Sequence, residues 1–211
     1  MKILHLDSSI NHEFSVTRQL SAEIVRQLVA TGQEHQLTYR DLVKDEISHL
    51  TGEIASGFRS VSERPIATPL LASEQQISDA LVSEFLESEM IVVGAPMYNF
   101  SVSSQLKASD GQNCSARKTF SYTPAGPVGL AGGKKVIIAS ARGGFMPVRD
   151  WKIWIFRNSS CASFWASSGI SCVEFVRAEG VSKGEDVKLR EISRALSLIP
   201  QAINAIFAAK E

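Results

Sequence analysis

Two rhythms of apolar residues alternate along the chain. The runs "KILHLD" (2–7), "MIVVGAP" (90–96) and "KKVIIASA" (134–141) are continuous and of strand length. Such runs suit parallel strands covered on both faces. "HQLTYRDL" (35–42) predicts a second strand and "CVEFVRAEG" (172–180) a last one. Between these runs the period lengthens. From Ser15 onward Leu20, Ile24 and Leu28 recur every four residues, with Arg18, Glu23 and Arg26 off that line and Gly32 as a C-terminal stop. "SEQQISDALVSEFLESE" (73–89) is amphipathic through Ile77, Leu81 and Phe85. Residues 185–209 predict a closing helix through Val187, Leu189, Ile192 and Leu196, interrupted at Pro200. Residues 45–75, punctuated by Pro65 and Pro69, predict a helix and a long connection.

Strands alternating with helices predict an α/β fold: one doubly wound, five-stranded parallel sheet with helices on both faces. In such sheets the ligand lies outside the carboxyl ends of the strands, at the topological switch point. Three strand exits therefore carry the candidate chemistry: "DSSINHEFSVT", "APMYNF" and "SARGG".

Composition narrows the class. A chain of 211 residues, 44% hydrophobic and without internal repeat or long linker, predicts a single domain. The formal net charge is zero, which argues against a nucleic-acid or anionic-membrane partner, and no apolar run reaches membrane-spanning length. "MKILHLDSS" reads as a first strand, not a signal peptide. The three cysteines, Cys114, Cys161 and Cys172, are odd in number and lack metal-ligand spacing, which points to a reducing cytoplasm.

The first exit offers Ser8, Ser9, Ser15 and Thr17 around a helix N-terminus, where free N–H groups and hydroxyls suit a phosphate; the plainer role of Ser15 is a helix cap. The second places Met97, Tyr98, Asn99 and Phe100 after a buried strand, suited to a flat heteroaromatic ring or simply to an apolar loop. The third brings Ser140, Ala141, Arg142, Gly143 and Gly144, with glycine N–H groups able to approach a ring edge. No G-x-G-x-x-G, P-loop, G-x-S-x-G or H-E-x-x-H occurs, and His5, His12, His35 and His49 do not cluster. His5, inside the first strand, is expected to be packed. A phosphate pocket and a ring pocket with almost no acid/base equipment fit a cofactor that brings its own redox chemistry.

The ordered blocks "LDSSINHEFSVTRQLS", "VVGAPMYNF…QLK", "KTFSYTPAGPVGL…GKK", "SARGG" and "VEFVRAEG" resemble the FMN-dependent NADH azoreductases, flavodoxin-like bacterial quinone and azo-dye reductases. The resemblance covers about residues 1–108, 118–144 and 170–211. It implies a flavodoxin-like fold, with Ser9 and Ser15, Val16 and Thr17 on the FMN phosphate. It places Met97, Tyr98, Asn99, Phe100, Ser140, Ala141, Arg142, Gly143 and Gly144 on the isoalloxazine ring. It implies NADH as donor, quinones and aromatic azo compounds as acceptors in ping-pong turnover, no metal, and a homodimer with the site at the interface. The competing readings are a flavodoxin-type electron carrier, a flavin-free relative, and a damaged member with weak FMN binding.

The pattern fails in two stretches, "SDGQNCSAR" (109–117) and "FMPVRDWKIWIFRNSSCASFWASS" (145–168), which hold all three tryptophans and two of the three cysteines. The first lacks any period and is expected not to form a helix. A codon set for the first, read one base later, gives "MDRIAQRG"; one for the second, read one base earlier, gives "YAGERLEDMDFQEQLLRQFLGIF". Both products are helical in pattern and resemble the family's own segments, although Trp and Met each have a single codon. Both stretches are therefore expected to be out-of-frame translations, by mutation or by an error in the read, with lineage divergence as the alternative. Buried polar groups in 109–117, weaker FMN retention and dimerisation, and aggregation through Trp151, Trp154 and Phe156 are expected consequences.

Overall fold

A computed structural model describes residues 1–30, 34–52, 54–55, 68–113, 118–145 and 160–209. The sheet is five-stranded and parallel, built from β1 (Lys2–Asp7), β2 (Gln36–Asp41), β3 (Met90–Pro96), β6 (Lys135–Ala141) and β7 (Cys172–Ala178). Its order is β2-β1-β3-β6-β7, so the chain reverses direction across the sheet between β1 and β3. A two-stranded antiparallel hairpin, β4 (Phe120–Thr123) and β5 (Gly126–Gly129), stands apart from it. The sequence pattern did not single out this hairpin, because its strands are short and half-exposed.

Two apolar layers cover the sheet. On one face α1 (Val16–Val29) and α5 (Glu185–Ala208) pack Leu20, Ile24, Leu28, Ile199 and Ile206 against Ile3, Met90, Val92, Ile137 and Val176. On the other, α2 (Pro69–Glu87), α3 (Ser104–Asn113) and α4 (Ser160–Ser167) bring Leu81, Phe85, Leu106, Phe164 and Trp165 onto Leu4, Ile91, Val93 and Ile138. Every residue of β3 is buried, as its unbroken apolar run requires. His5 packs as expected, 6% exposed, with its ring centroid 4.9 Å from that of Tyr39. Among the described residues no helix is long and apolar enough to cross a membrane.

Several boundaries differ from the sequence reading. The helix over 185–208 continues through Pro200, which lies on its exposed side, while Ile192, Ala195, Ile199, Ala202 and Ile206 remain on the buried face. Tertiary burial of that face outweighs one missing N–H donor. Leu189 is 57% exposed and so is not part of the face. Ile77 is likewise 37% exposed; the buried side of α2 runs through Leu71, Ser78, Leu81, Val82 and Phe85. The stop assigned to Gly32 lies outside the described residues, and α1 ends at Val29 with Ala30 as its cap.

The largest correction concerns α3, which is helical through Asn113 although residues 109–113 have no helical period. Ser109, Asp110, Gln112 and Asn113 are all buried. Part of their polarity is matched: Ser78 Oγ donates to the Gln112 carbonyl at 2.8 Å, Gln112 Nε2 to Glu74 at 3.0 Å and Thr119 Oγ1 to the Asn113 carbonyl at 2.8 Å. Asp110 Oδ2, Gln112 Oε1 and Asn113 Oδ1 are buried without a hydrogen-bond partner among the described residues. Tertiary position holds the helix in place against its composition.

Gly94, in the middle of β3, shows how tightly the sheet is filled beneath the first exit. A Cβ there would overlap Asp7 Oδ1, which accepts the Ser21 hydroxyl at 2.8 Å, while the Gly94 carbonyl accepts the Ser8 hydroxyl at 2.8 Å. Gly94→Ala is expected to lower stability by about 1–3 kcal/mol, read by urea denaturation, because a buried carboxylate must move.

Candidate active site

The three exits converge on one open cavity of about 550 Å3, within the range of about 300–1,000 Å3 usual for small-molecule sites. The first exit supplies its polar end. Ser15 caps α1, its Oγ accepting the Arg18 N–H at 3.3 Å, and the same residue lines the cavity. Ser15 Oγ and Thr17 Oγ1 lie 3.1 Å apart, and both residues are buried, as is Ser9. Hydroxyls at the positive end of a 14-residue helix are suited to a phosphate.

The second exit supplies the apolar end. Met97 N–H donates to the Ala141 carbonyl at 3.0 Å, which ties this loop to the third exit. Tyr98 and Ser101 exchange two backbone hydrogen bonds of 2.9 Å each, closing a tight turn whose central residues, Asn99 and Phe100, have φ of 47° and 64°. Left-handed backbone in a phenylalanine costs energy and persists only where its surroundings fix it, a frequent mark of a ligand loop. Across the cavity, Tyr98 Oη and Ser9 Oγ share a hydrogen bond of 3.0 Å.

The third exit is stitched to the segment after β7. Arg142 N–H donates to the Ala178 carbonyl at 3.1 Å, Val181 N–H to the Arg142 carbonyl at 3.1 Å, and Ser182 N–H to the Gly143 carbonyl at 3.2 Å. The Arg142 side chain is buried and forms an ion pair with Glu179 at 3.2 Å. Burial pulls its pKa below the usual guanidinium value, with the Glu179 carboxylate acting against that shift. The neighbouring Arg177 is pulled down to about 10, first by burial and then by the Arg142 charge.

Of the residues expected from sequence, Ser9, Ser15, Val16, Thr17, Met97, Tyr98, Ala141, Arg142 and Gly143 line the cavity. Asn99, Phe100, Ser140 and Gly144 lie outside the lining: the first two form the turn that carries Tyr98, Ser140 sits within β6, and Gly144 follows Gly143. Sequence reasoning missed Asn11, Phe14, Pro96, Val181, Ser182, Gly184, Glu185 and Lys188. "SKGEDV" carried one usable signal, a glycine followed by two acidic residues opening a helix. Among the described residues no group of three or more His, Cys, Asp or Glu could hold a metal.

A family model described as "Flavodoxin-like fold" matches residues 1–199. The chain is 51% identical over 144 residues to "FMN-dependent NADH:quinone oxidoreductase 2" of Xanthomonas euvesicatoria, a match covering 68% of this chain and 66% of that protein. It thus spans just under two thirds of that relative's length. It is 52% identical over 144 residues to the "FMN-dependent NADH:quinone oxidoreductase" of Ralstonia nicotianae, covering 68% of this chain and 69% of that one. The solved structure of an azoreductase from Bacillus anthracis superposes with a TM-score of 0.83 at 24% identity, over 98% of this chain and 99% of that one, and so bears on the fold alone. With a flavodoxin-like sheet, a site at its switch point and these relatives, the chain belongs to the flavodoxin-like family of FMN-dependent NADH:quinone oxidoreductases.

Proposed function

We propose that this chain is an FMN-dependent oxidoreductase that takes electrons from NADH, reduces quinones by two electrons and reductively cleaves aromatic azo compounds. The observation that carries the reading is the two-ended cavity, with buried hydroxyls at the α1 N-terminus on one side and Met97, Tyr98 and Gly143 on the other. These residues fit FMN, whose phosphate needs donors and whose ring needs flat apolar contact. Ser9, Ser15, Val16 and Thr17 would hold the phosphate. Met97 and Tyr98, on the turn formed by Asn99 and Phe100, would hold the ring together with the segment from Ser140 to Gly144. When bound, FMN supplies hydride acceptance from the nicotinamide and delivery to the acceptor. The protein would orient the ring, with Arg142, held by its ion pair to Glu179, in the wall of the cavity. With FMN held by these residues, donor and acceptor would use the one open cavity in turn, which would give ping-pong turnover.

The test is steady-state NADH consumption by the FMN-loaded protein with benzoquinone and no partner protein. The proposal expects sustained turnover and parallel double-reciprocal plots. An electron carrier, the alternative reading, would stay inert until a partner protein was added.

The same reading makes the functional unit a homodimer with the site at the interface. In its support, Phe14 borders the cavity yet is 82% exposed, and Phe100 is 75% exposed, both aromatic faces that a second copy would cover. Sedimentation of the FMN-loaded protein is expected to give a dimer. A reducing cytoplasm is the proposed compartment, on the cysteine count.

For residues 109–117 and 145–168 the proposal remains an out-of-frame origin. The alternative reading puts methionine at 110 and isoleucine at 113, where Asp110 and Asn113 are 3% and 6% exposed. It puts leucine at 165 and phenylalanine at 168, where the Trp165 indole nitrogen is buried without a hydrogen-bond partner among the described residues and Ser168 is 2% exposed. Position 112 runs the other way, since arginine would replace a fully buried Gln112. Trp151, Trp154 and Phe156, the expected aggregation sites, lie outside the described residues. The gene's codons decide the matter: the account expects codons compatible with both alternative peptides, and an incompatible codon in either stretch overturns it.

A further inference from the structure

We propose that Arg18 is a positioning residue that fixes the phosphate end of the flavin site from outside the cavity. The inference rests on the reading of residues 9–17 as the phosphate loop. Arg18 occupies the first turn of α1, where the helix dipole disfavours a cation. Its side chain is nonetheless 15% exposed, and every one of its five N–H donors has a partner in reach. Nε and Nη2 donate to the Ser9 carbonyl at 3.3 and 3.0 Å. Nη2 and Nη1 grip Asp41, at the end of β2, in a two-point pair at 2.6 and 2.7 Å, and Nη1 also reaches Tyr39 Oη at 3.1 Å. Asp41 is itself held by the Val43 N–H at 3.1 Å, so the clamp is anchored in the sheet.

This geometry leaves the guanidinium nothing to offer a phosphate directly, and Arg18 does not line the cavity. What it controls is the loop. In a trans peptide the carbonyl of residue 9 and the N–H of residue 10 point opposite ways, so holding the Ser9 carbonyl sets the direction of the Ile10 N–H. It also sets the backbone that carries the Ser9 hydroxyl into the cavity. Asp41 makes the clamp a fork-to-fork contact, which a point charge cannot reproduce.

The clamp and a simple charge effect make opposite predictions for Asp41→Asn. Removing a negative charge near the site would tighten FMN if Arg18 acted only through its field. Loosening the clamp should weaken FMN while leaving riboflavin, which has no phosphate, unchanged. Flavin fluorescence titrations of the apo-protein with FMN and with riboflavin read both. For Arg18→Leu we expect FMN affinity to fall about 10- to 100-fold with riboflavin within about 3-fold, and for Asp41→Asn about 3- to 10-fold for FMN. Arg18→Lys should recover only part of the loss. If Arg18→Leu does not fold, Asp41→Asn and Arg18→Lys carry the test.

Tighter FMN binding in Asp41→Asn, equal loss of both flavins, or an unchanged preference for FMN in the variants each overturns the proposal. A wild-type protein that binds FMN and riboflavin equally well would instead overturn the assignment of the phosphate to residues 9–17.

Discussion

Asp110→Met is expected to stabilise the protein by about 4 kcal/mol at pH 8 and by much less at pH 4. The Asp110 carboxyl is 3% exposed, and burial pushes its pKa from 3.8 up to about 7, with the Lys107 charge acting against that shift. A carboxyl raised in this way keeps its proton in the folded protein over a range where the unfolded chain has lost it. The sign follows: its contribution is fully favourable below about pH 4 and is lost as pH rises through about 7. The rise from 3.8 to about 7 sets the size, since a tenfold change in proton affinity corresponds to about 1.36 kcal/mol. The wild type should therefore lose stability between pH 4 and 8 in urea titrations, and Asp110→Asn and Asp110→Met should both flatten that slope. Adding Asn113→Ile extends the gain by filling a second buried position with an apolar side chain. A stability gain independent of pH would contradict burial of the carboxylate as the cause.

The second large effect is expected at the other end of the fold. Ser9→Ala combined with Thr17→Val removes two buried hydroxyls from the proposed phosphate end while leaving the Ser15 cap of α1 intact. Hydrogen bonds to a charged group contribute about 1.5–3 kcal/mol each, so FMN affinity should fall about 100-fold or more. Riboflavin affinity should barely change, and isothermal titration with the two flavins reads the difference. Equal losses would mean that the hydroxyls shape the cavity as a whole and do not bind a phosphate.

Much of this architecture was legible in the sequence because its signals were local. The runs 90–96 and 134–141 read as buried strands and Leu20, Ile24 and Leu28 as one side of a helix, and the structure has them so. The exits after β1, β3 and β6 were read from where the apolar runs end, and nine of the expected site residues meet in one cavity. Ser182, Glu185 and Lys188 were not legible. They enter the site because backbone bonds from Val181 and Ser182 fold the segment after β7 onto Arg142 and Gly143, a pairing that no local pattern encodes. Pro200 and the polar end of α3 misled for a related reason: burial against the rest of the fold outweighs propensity in both.

The most direct test of the central claim is the visible spectrum of the purified chain after FMN addition and desalting, followed without oxygen through addition of NADH and then benzoquinone. The account predicts a retained flavin band that NADH bleaches and benzoquinone restores. A protein that binds FMN at the cavity yet holds an unbleached spectrum in excess NADH would contradict it.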